Sequence, residues 1–285
     1  MKENIIEFQM VSKKLGNNNI VSDINLTVEK GDIIGIIGSN GSGKTTLLRL
    51  CSGLIYPDKG KVIVNGKVIK PGLFGTLPTS IGTLIETPSF LPHFSGLKNL
   101  KMLAEIQSKI KEEDIRKAIE KVGLNPDNRK TVKTYSLGMR QRLGIAQAIM
   151  EKPDILLFDE PTNGLDDSGI KMFADLIQEQ VNRGAAIIIV SHVKEEVSRF
   201  CDKVFMIQNG KLELVRSNRE KKWIVLLNKL EDLETLNQEL PNFNMTKRIN
   251  GYLAGICMGE WDSKEEFISI LEDKGIYPAD VKEVR

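Results

Sequence analysis

Hydrophobic and polar positions change rhythm several times along the chain. Over residues 5–11 and 21–28 they partly alternate, with 13–19 between them as a loop, which predicts a half-solvated antiparallel layer. From Asp32 the alternation stops: Ile33-Ile34-Gly35-Ile36-Ile37 is continuously apolar and leads through a glycine-rich loop into a helix at 45–51. Continuous apolar strands followed by helices predict a parallel sheet covered on both faces. Residues 61–64 and 67–69 flank Asn65-Gly66, a hairpin signal. Between 87 and 133 amphipathic helices replace the strands, at 96–109 and 112–122, and the helical insert is placed at about 87–150. Alternation then resumes with helix 137–150, strand 155–158, helix 168–182, strand 186–190, helix 194–200 and strand 203–207, after which Asn209-Gly210 turns into 211–215.

A charged stretch at 216–222 reads as a linker. Beyond it the pattern predicts strand 223–227, helix 230–240, strands 243–247 and 252–258, helix 263–273 and strand 276–284. Ser263 with Glu266 three positions on forms a capping box for the last helix. That order, β-α-β-β-α-β, belongs to a small ferredoxin-like unit. The expected organisation is therefore an α/β domain at 1–215 and a small α+β accessory domain at 217–285.

Composition narrows the class. Lys and Arg total 40 against 38 Asp and Glu, a formal charge of +2, which argues against a chain that coats nucleic acid. With 41% hydrophobic residues in 285, the chain can bury a sizeable core unaided. Cys51, Cys201 and Cys257 are scattered and accompanied only by His93 and His192, which excludes a disulfide framework and argues against structural zinc. Apolar runs such as 185–190 fall far short of the roughly 20 residues of a membrane span, and the opening residues, broken by Glu7 and Gln9, do not read as a signal peptide. A cytoplasmic protein is expected, carried to any membrane by something else.

The chemistry concentrates in a few segments. Gly38-Ser39-Asn40-Gly41-Ser42-Gly43-Lys44-Thr45 matches G-x-x-x-x-G-K-[ST], and Thr46 follows it into the helix. Glycines let successive N–H groups curl toward phosphate oxygens, the helix N-terminus adds favourable partial charge, Lys44 can bridge β- and γ-phosphates, and Thr45 can ligate Mg²⁺. The flanking strand and helix separate this segment from an ordinary glycine-rich turn. The strand Ile155-Leu156-Leu157-Phe158 ends in Asp159-Glu160. These acids either merely begin a loop or, at the carboxyl end of a parallel strand where ligands sit, serve Mg²⁺ (Asp159) and the attacking water (Glu160).

Two further segments, Tyr135-Ser136-Leu137-Gly138-Met139-Arg140-Gln141-Arg142 and Ser191-His192, complete a pattern that resembles the ATP-binding subunit of an ABC transporter, with residues 1 to about 215 carrying its segments in order. The resemblance implies a P-loop ABC ATPase core. It also implies that Ser136 and Gly138 belong to the signature Leu-Ser-Gly-Gly-Gln, which caps the γ-phosphate of ATP held by the opposite subunit; here Leu137 and Met139 replace a glycine and the glutamine. By the same resemblance His192 is the switch histidine, Gly164-Leu165-Asp166 the loop that pairs across the dimer, and Glu86 stands where a glutamine usually reaches Mg²⁺. Leu15, 29 residues before Lys44, occupies the usual place of an adenine-stacking aromatic. Glu86, the altered signature and the C-terminal unit are together similar to the bacitracin-resistance and lantibiotic-immunity exporters.

The resemblance implies an ATPase that uses ATP and Mg²⁺, pairs with a second ATP-binding subunit as a homodimer, and drives a separate transmembrane permease at the inner face of the cell membrane, with no nucleic-acid partner. The loop 86–94 is the expected docking surface, with Phe90 and Phe94 either apolar contacts or local core, while His93 reads as a loop residue. Two alternatives stand beside this one. A soluble ABC-type ATPase acting on nucleic acid or the ribosome would carry a long coiled coil or two ATPase units, and neither occurs here. A regulatory subunit without hydrolysis is opposed by the presence of both Glu160 and His192.

Overall fold

A computed structural model describes residues 3–70, 80–86, 88–217, 221–240, 243–249, 252–259 and 264–284. The chain divides into two units, Met1–Arg216 and Ser217–Arg285. The first opens with β1 (Asn4–Leu15), β2 (Asn18–Glu29) and β3 (Ile33–Ile37), then α1 (Lys44–Cys51), β4 (Lys59–Val64), β5 (Lys67–Val68) and β6 (Ile81–Leu84). It continues through α2 (Gly96–Gln107), α3 (Glu112–Lys121), α4 (Leu137–Ile149), β7 (Ile155–Asp159), α5 (Asp167–Asn182), β8 (Ala186–Ser191), α6 (Lys194–Phe200), β9 (Lys203–Gln208) and β10 (Lys211–Ser217).

These strands form two sheets. The antiparallel one runs β2-β1-β4-β5 and the larger one β10-β9-β3-β8-β7-β6, whose strands from β9 to β6 are parallel. Continuous apolar strands are needed because the large sheet is covered on both sides. Ile33, Leu156, Phe158, Ile187 and Ile189 face a core shared with α2–α6, whereas Ile34, Ile36, Ile155, Leu157 and Ile188 face a second core shared with α1 and the antiparallel sheet. Phe158 meets Phe173 edge-on with ring centroids 5.2 Å apart, and Phe173 meets Phe200 at 5.9 Å. Each such contact is worth about 0.5–1.5 kcal/mol beyond burial, and together they anchor the end of β7 immediately before Asp159. Cys51 and Cys201 lie in these cores, where burial pushes the Cys51 thiol up to about 12 and holds it protonated at neutral pH.

The second unit contains β11 (Lys221–Leu227), α7 (Leu230–Glu239), β12 (Phe243–Ile249), β13 (Tyr252–Gly259), α8 (Lys264–Asp273) and β14 (Asp280–Val284). Its sheet order is β12-β13-β11-β14, all antiparallel, which is the ferredoxin-like arrangement. Trp223, Val225, Leu227 and Phe267 form its separate core.

Three expectations change. The loop anticipated at 13–19 shrinks to a two-residue turn, because Gly16 adopts a left-handed φ of 59° and lets β1 run on to Leu15. β6 is not visible in the periodicity: four residues carry too little of it, and pairing alongside β7 is what makes them a strand. The final strand begins only at Asp280 rather than 276, after Ile276 has packed into the small core. Ser263, proposed as a helix cap, lies outside the described residues.

Candidate active site

The carboxyl end of β3 releases the chain into the glycine loop, and α1 begins at Lys44. Gly43, the N-cap, has φ 108°, a backbone conformation that side-chain-bearing residues rarely adopt. Since Gly43 offers no side-chain cap, the first N–H groups of α1 remain available to an anion. Lys44 is almost fully buried, and its Nζ donates to the carbonyl oxygens of Gly38 (2.8 Å) and Ser39 (3.0 Å). The ammonium is thus held over its own loop, where phosphate oxygens can replace two neutral acceptors with charged ones. Ser42 Oγ is buried without a hydrogen-bond partner, an unsatisfied group in a loop whose pattern calls for phosphate.

β7 lies two strands from β3 and brings Asp159 beside α1: Thr45 Oγ1 donates to Asp159 Oδ2 at 2.7 Å. Burial, above all, raises the Asp159 carboxyl above its ordinary range; the Thr45 bond and Lys44 pull it down, while Glu160 and Glu86 push it further up. A buried carboxylate paired with a hydroxyl is a hard oxygen donor set of the kind that binds a divalent cation. Among the described residues no cluster of three or more His, Cys, Asp or Glu forms an all-protein cage. This set fits Mg²⁺, which is commonly bound through one or two carboxylates together with nucleotide phosphates.

Glu160 follows in a left-handed conformation, φ 47°, with its N–H donating to Val190 O at 2.9 Å. Its carboxylate is drawn toward the end of β8. Oε2 accepts from Ser191 Oγ (3.0 Å), Oε1 accepts from the His192 N–H (3.0 Å), and Oε1 lies 2.8 Å from His192 Nδ1. The adjacent parallel strands β7 and β8 therefore deliver the acids and the histidine to one edge. A cleft of about 340 Å³ there is lined by Leu15, Ile20, Asn40, Gly41, Gly43–Thr46, Asp159 and Glu160. Gly38, Ser39 and His192 line a separate cavity, also about 340 Å³.

Other sequence-designated residues lie apart from the cleft lining. Ser136 caps α4, its Oγ accepting from Met139 N at 3.2 Å. A Cβ on Gly138 would come within 2.6 Å of Gly164 O, so the signature turn packs directly on the 164–166 loop of its own chain. Leu137 is exposed. Glu86, at φ 65°, pairs with Arg49 of α1 instead of lining the cleft. The neighbouring Thr87 lies outside the described residues. Phe90 packs against the large core, whereas Leu91, His93 and Phe94 are exposed.

Sequence reasoning leaves two contributors unassigned. Arg49 is the partner of Glu86, a pairing no local pattern announces. Gln141 is buried, and its Nε2 donates to the carbonyl oxygens of both Glu160 (3.1 Å) and Pro161 (3.0 Å). A polar residue among the apolar positions of α4 is the available signal.

A parallel sheet with a glycine-lined phosphate loop, a hydroxyl–carboxylate pair and a second acid at its carboxyl edge defines a P-loop nucleotide-binding protein. The chain belongs to the ABC transporter family, whose pattern it matches over residues 21–163, and it is an ATP-binding subunit and ATPase of that family. It is 44% identical over 209 residues to an uncharacterized ABC transporter ATP-binding protein of Bacillus subtilis, covering 73% of this chain and 95% of that one. The bacitracin transport ATP-binding protein of Enterococcus faecalis is 38% identical (76% of this chain, 73% of that one), and the lantibiotic transport ATP-binding protein of Streptococcus pyogenes 33% (74% and 90%). Among solved structures, a dimeric bacterial ABC transporter cassette superposes with a TM-score of 0.64 at 22% identity, covering 75% of this chain and all of that chain, and shares the fold.

Proposed function

We propose that the protein is the hydrolytic subunit of an ABC exporter, closing as a homodimer around two ATP molecules and powering a separate membrane permease at the inner face of the cell membrane. The observation that carries this reading is the convergence of Lys44, Thr45, Asp159 and Glu160 at one sheet edge, with His192 bonded to Glu160. The loop N–H groups and Lys44 bind the β- and γ-phosphates and stabilise charge as it moves in the transition state. Thr45 and Asp159 would hold Mg²⁺, with Glu86 as a further oxygen ligand if freed from Arg49, and the ion would neutralise the phosphate oxygens. Glu160 takes the proton of the attacking water or orients it, and His192 and Ser191 fix the direction of that carboxylate. Ser136 and Gly138 close the site of the opposite subunit, consistent with the dimeric cassette of the same fold.

Among the described residues no helix is long and apolar enough to cross a membrane, and this reading gives that passage to the permease. Within the loop 86–94, Leu91 and Phe94 are exposed apolar side chains that could meet the permease. The named activities of the bacitracin and lantibiotic relatives point to antimicrobial peptides or similar amphiphiles as cargo. Coexpression with a multi-span membrane protein encoded beside this chain tests the assignment. Copurification, ATPase stimulation and increased resistance to bacitracin or a lantibiotic are expected. Stimulation by nucleic acid or ribosomes, with no membrane partner, would replace it.

Two outcomes are expected at the nucleotide. Because burial raises the Asp159 carboxyl, this group favours the folded state most in acid, and that contribution is lost as pH rises through the raised value. Asp159→Asn is therefore expected to raise the melting temperature of the nucleotide-free chain at pH 8 more than near pH 4, the ordinary carboxylate range, while ATP turnover falls by at least about 10²-fold. Thermal scans at both pH values beside steady-state turnover check this. At the cleft mouth, exposed Leu15 gives the adenine only an aliphatic surface. Leu15→Tyr is expected to tighten ATP by about 1–3 kcal/mol, the scale of base–aromatic stacking, with preference over non-stacking triphosphate analogues rising in equilibrium titrations.

A further inference from the structure

Glu160 occupies a left-handed backbone conformation, φ 47°, that is unfavourable for a residue bearing a Cβ and persists only when its surroundings determine it. Its N–H is held by Val190 O and its side chain by Ser191 and His192. The remaining backbone group, its carbonyl, accepts from Asn163 N (3.2 Å) and Gln141 Nε2 (3.1 Å), and the same amide reaches Pro161 O. Gln141 lies five residues beyond Ser136, on the helix that Ser136 caps. One rigid helix therefore grips the turn that aims Glu160 and carries at its start the residue proposed to close on the partner's nucleotide.

Resting on the shared-site reading above, we infer that Gln141 is a positioning residue for Glu160 of its own chain: its amide holds the 160–161 carbonyls so that the carboxylate faces the phosphate cleft. Arg142, next on α4, adds a second grip through Asp166 Oδ1 at 3.0 Å, which keeps the far end of the same loop in place. A displacement of about 1 Å at a reacting group can cost roughly 10² in rate. Losing the two donors should therefore slow chemistry while leaving the phosphate loop, and hence nucleotide binding, intact.

Gln141→Met, close in length and a good helix former, is the test. Expected are a fall in kcat of about 10–10²-fold, a KM for ATP within about twofold, and persistence of an ATP-bound dimer. Parallel changes in kcat and KM, or unchanged turnover, would overturn the inference. Should Gln141→Met fail to fold, Gln141→Glu keeps the shape and replaces the donors by a carboxylate, with the same outcomes applying.

Mixed dimers then locate the effect. When a Ser136→Arg chain is paired with a Lys44→Ala chain, one site remains, built from Lys44 and Glu160 of the first and Ser136 of the second. Gln141→Met should abolish most of that activity when placed on the first chain and little when placed on the second. Equal loss from either side means general destabilisation, and loss only from the second means that Gln141 serves the signature; both overturn the inference. If the parent mixture shows no activity, a single site does not fire alone or the shared-site reading falls, and in either case the kcat–KM split in the homogeneous Gln141→Met protein decides the role of Gln141.

Discussion

Glu160→Gln is expected to lower ATP turnover by roughly 10²–10⁴-fold while ATP binding is retained. The carboxamide is nearly the same size and keeps an oxygen for the Ser191 hydroxyl or the His192 N–H, so the local arrangement survives. What disappears is the basic oxygen that receives or orients the water's proton. A closed dimer that relaxes by hydrolysis should then persist with ATP bound, and size-exclusion chromatography with nucleotide should show a stable dimer absent from the unmodified protein. Near-normal turnover would remove Glu160 from its proposed role. The neighbouring acid gives a different signature: Asp159→Asn disturbs the Thr45–Asp159 pair and changes stability with pH.

An equally large effect is expected from Lys44→Ala and Ser136→Arg, each inactive alone and partly active when mixed. Lys44 lies in the cleft, whereas Ser136 caps α4 away from the cleft lining. Active sites shared between chains, as proposed above, would account for both placements. The heterodimer then retains one site with an intact Lys44 facing an intact Ser136, and recovery on mixing measures it. In the unmodified protein, specific activity should rise with concentration until dimers dominate. Strictly linear total activity, together with a fully active Ser136→Arg chain, would leave the site within one subunit.

The features that can be read from residues alone are those encoded by near neighbours. Ile33–Ile37 is apolar at every position because both faces of its sheet are covered, and that pattern is written within five residues. The glycine loop is likewise local, since Gly43 must adopt a positive φ next to the lysine and threonine it presents. Asp159 and Glu160 are legible as acids ending a buried strand, and the β-α-β-β-α-β order of the second unit as a sequence of periods.

Tertiary structure decided what depends on distant residues meeting. Ile81–Leu84 is a strand because Ile155–Phe158 pairs with it across more than seventy residues of chain. Glu86 is held by Arg49, Phe90 turns into the core while Phe94 stays exposed, and Gln141 reaches the carbonyls that follow β7. Periodicity reports which face of an element is apolar, but a hydrogen bond or ion pair requires two side chains to arrive within about 3 Å, and only the packed arrangement of helices on the sheet sets that separation.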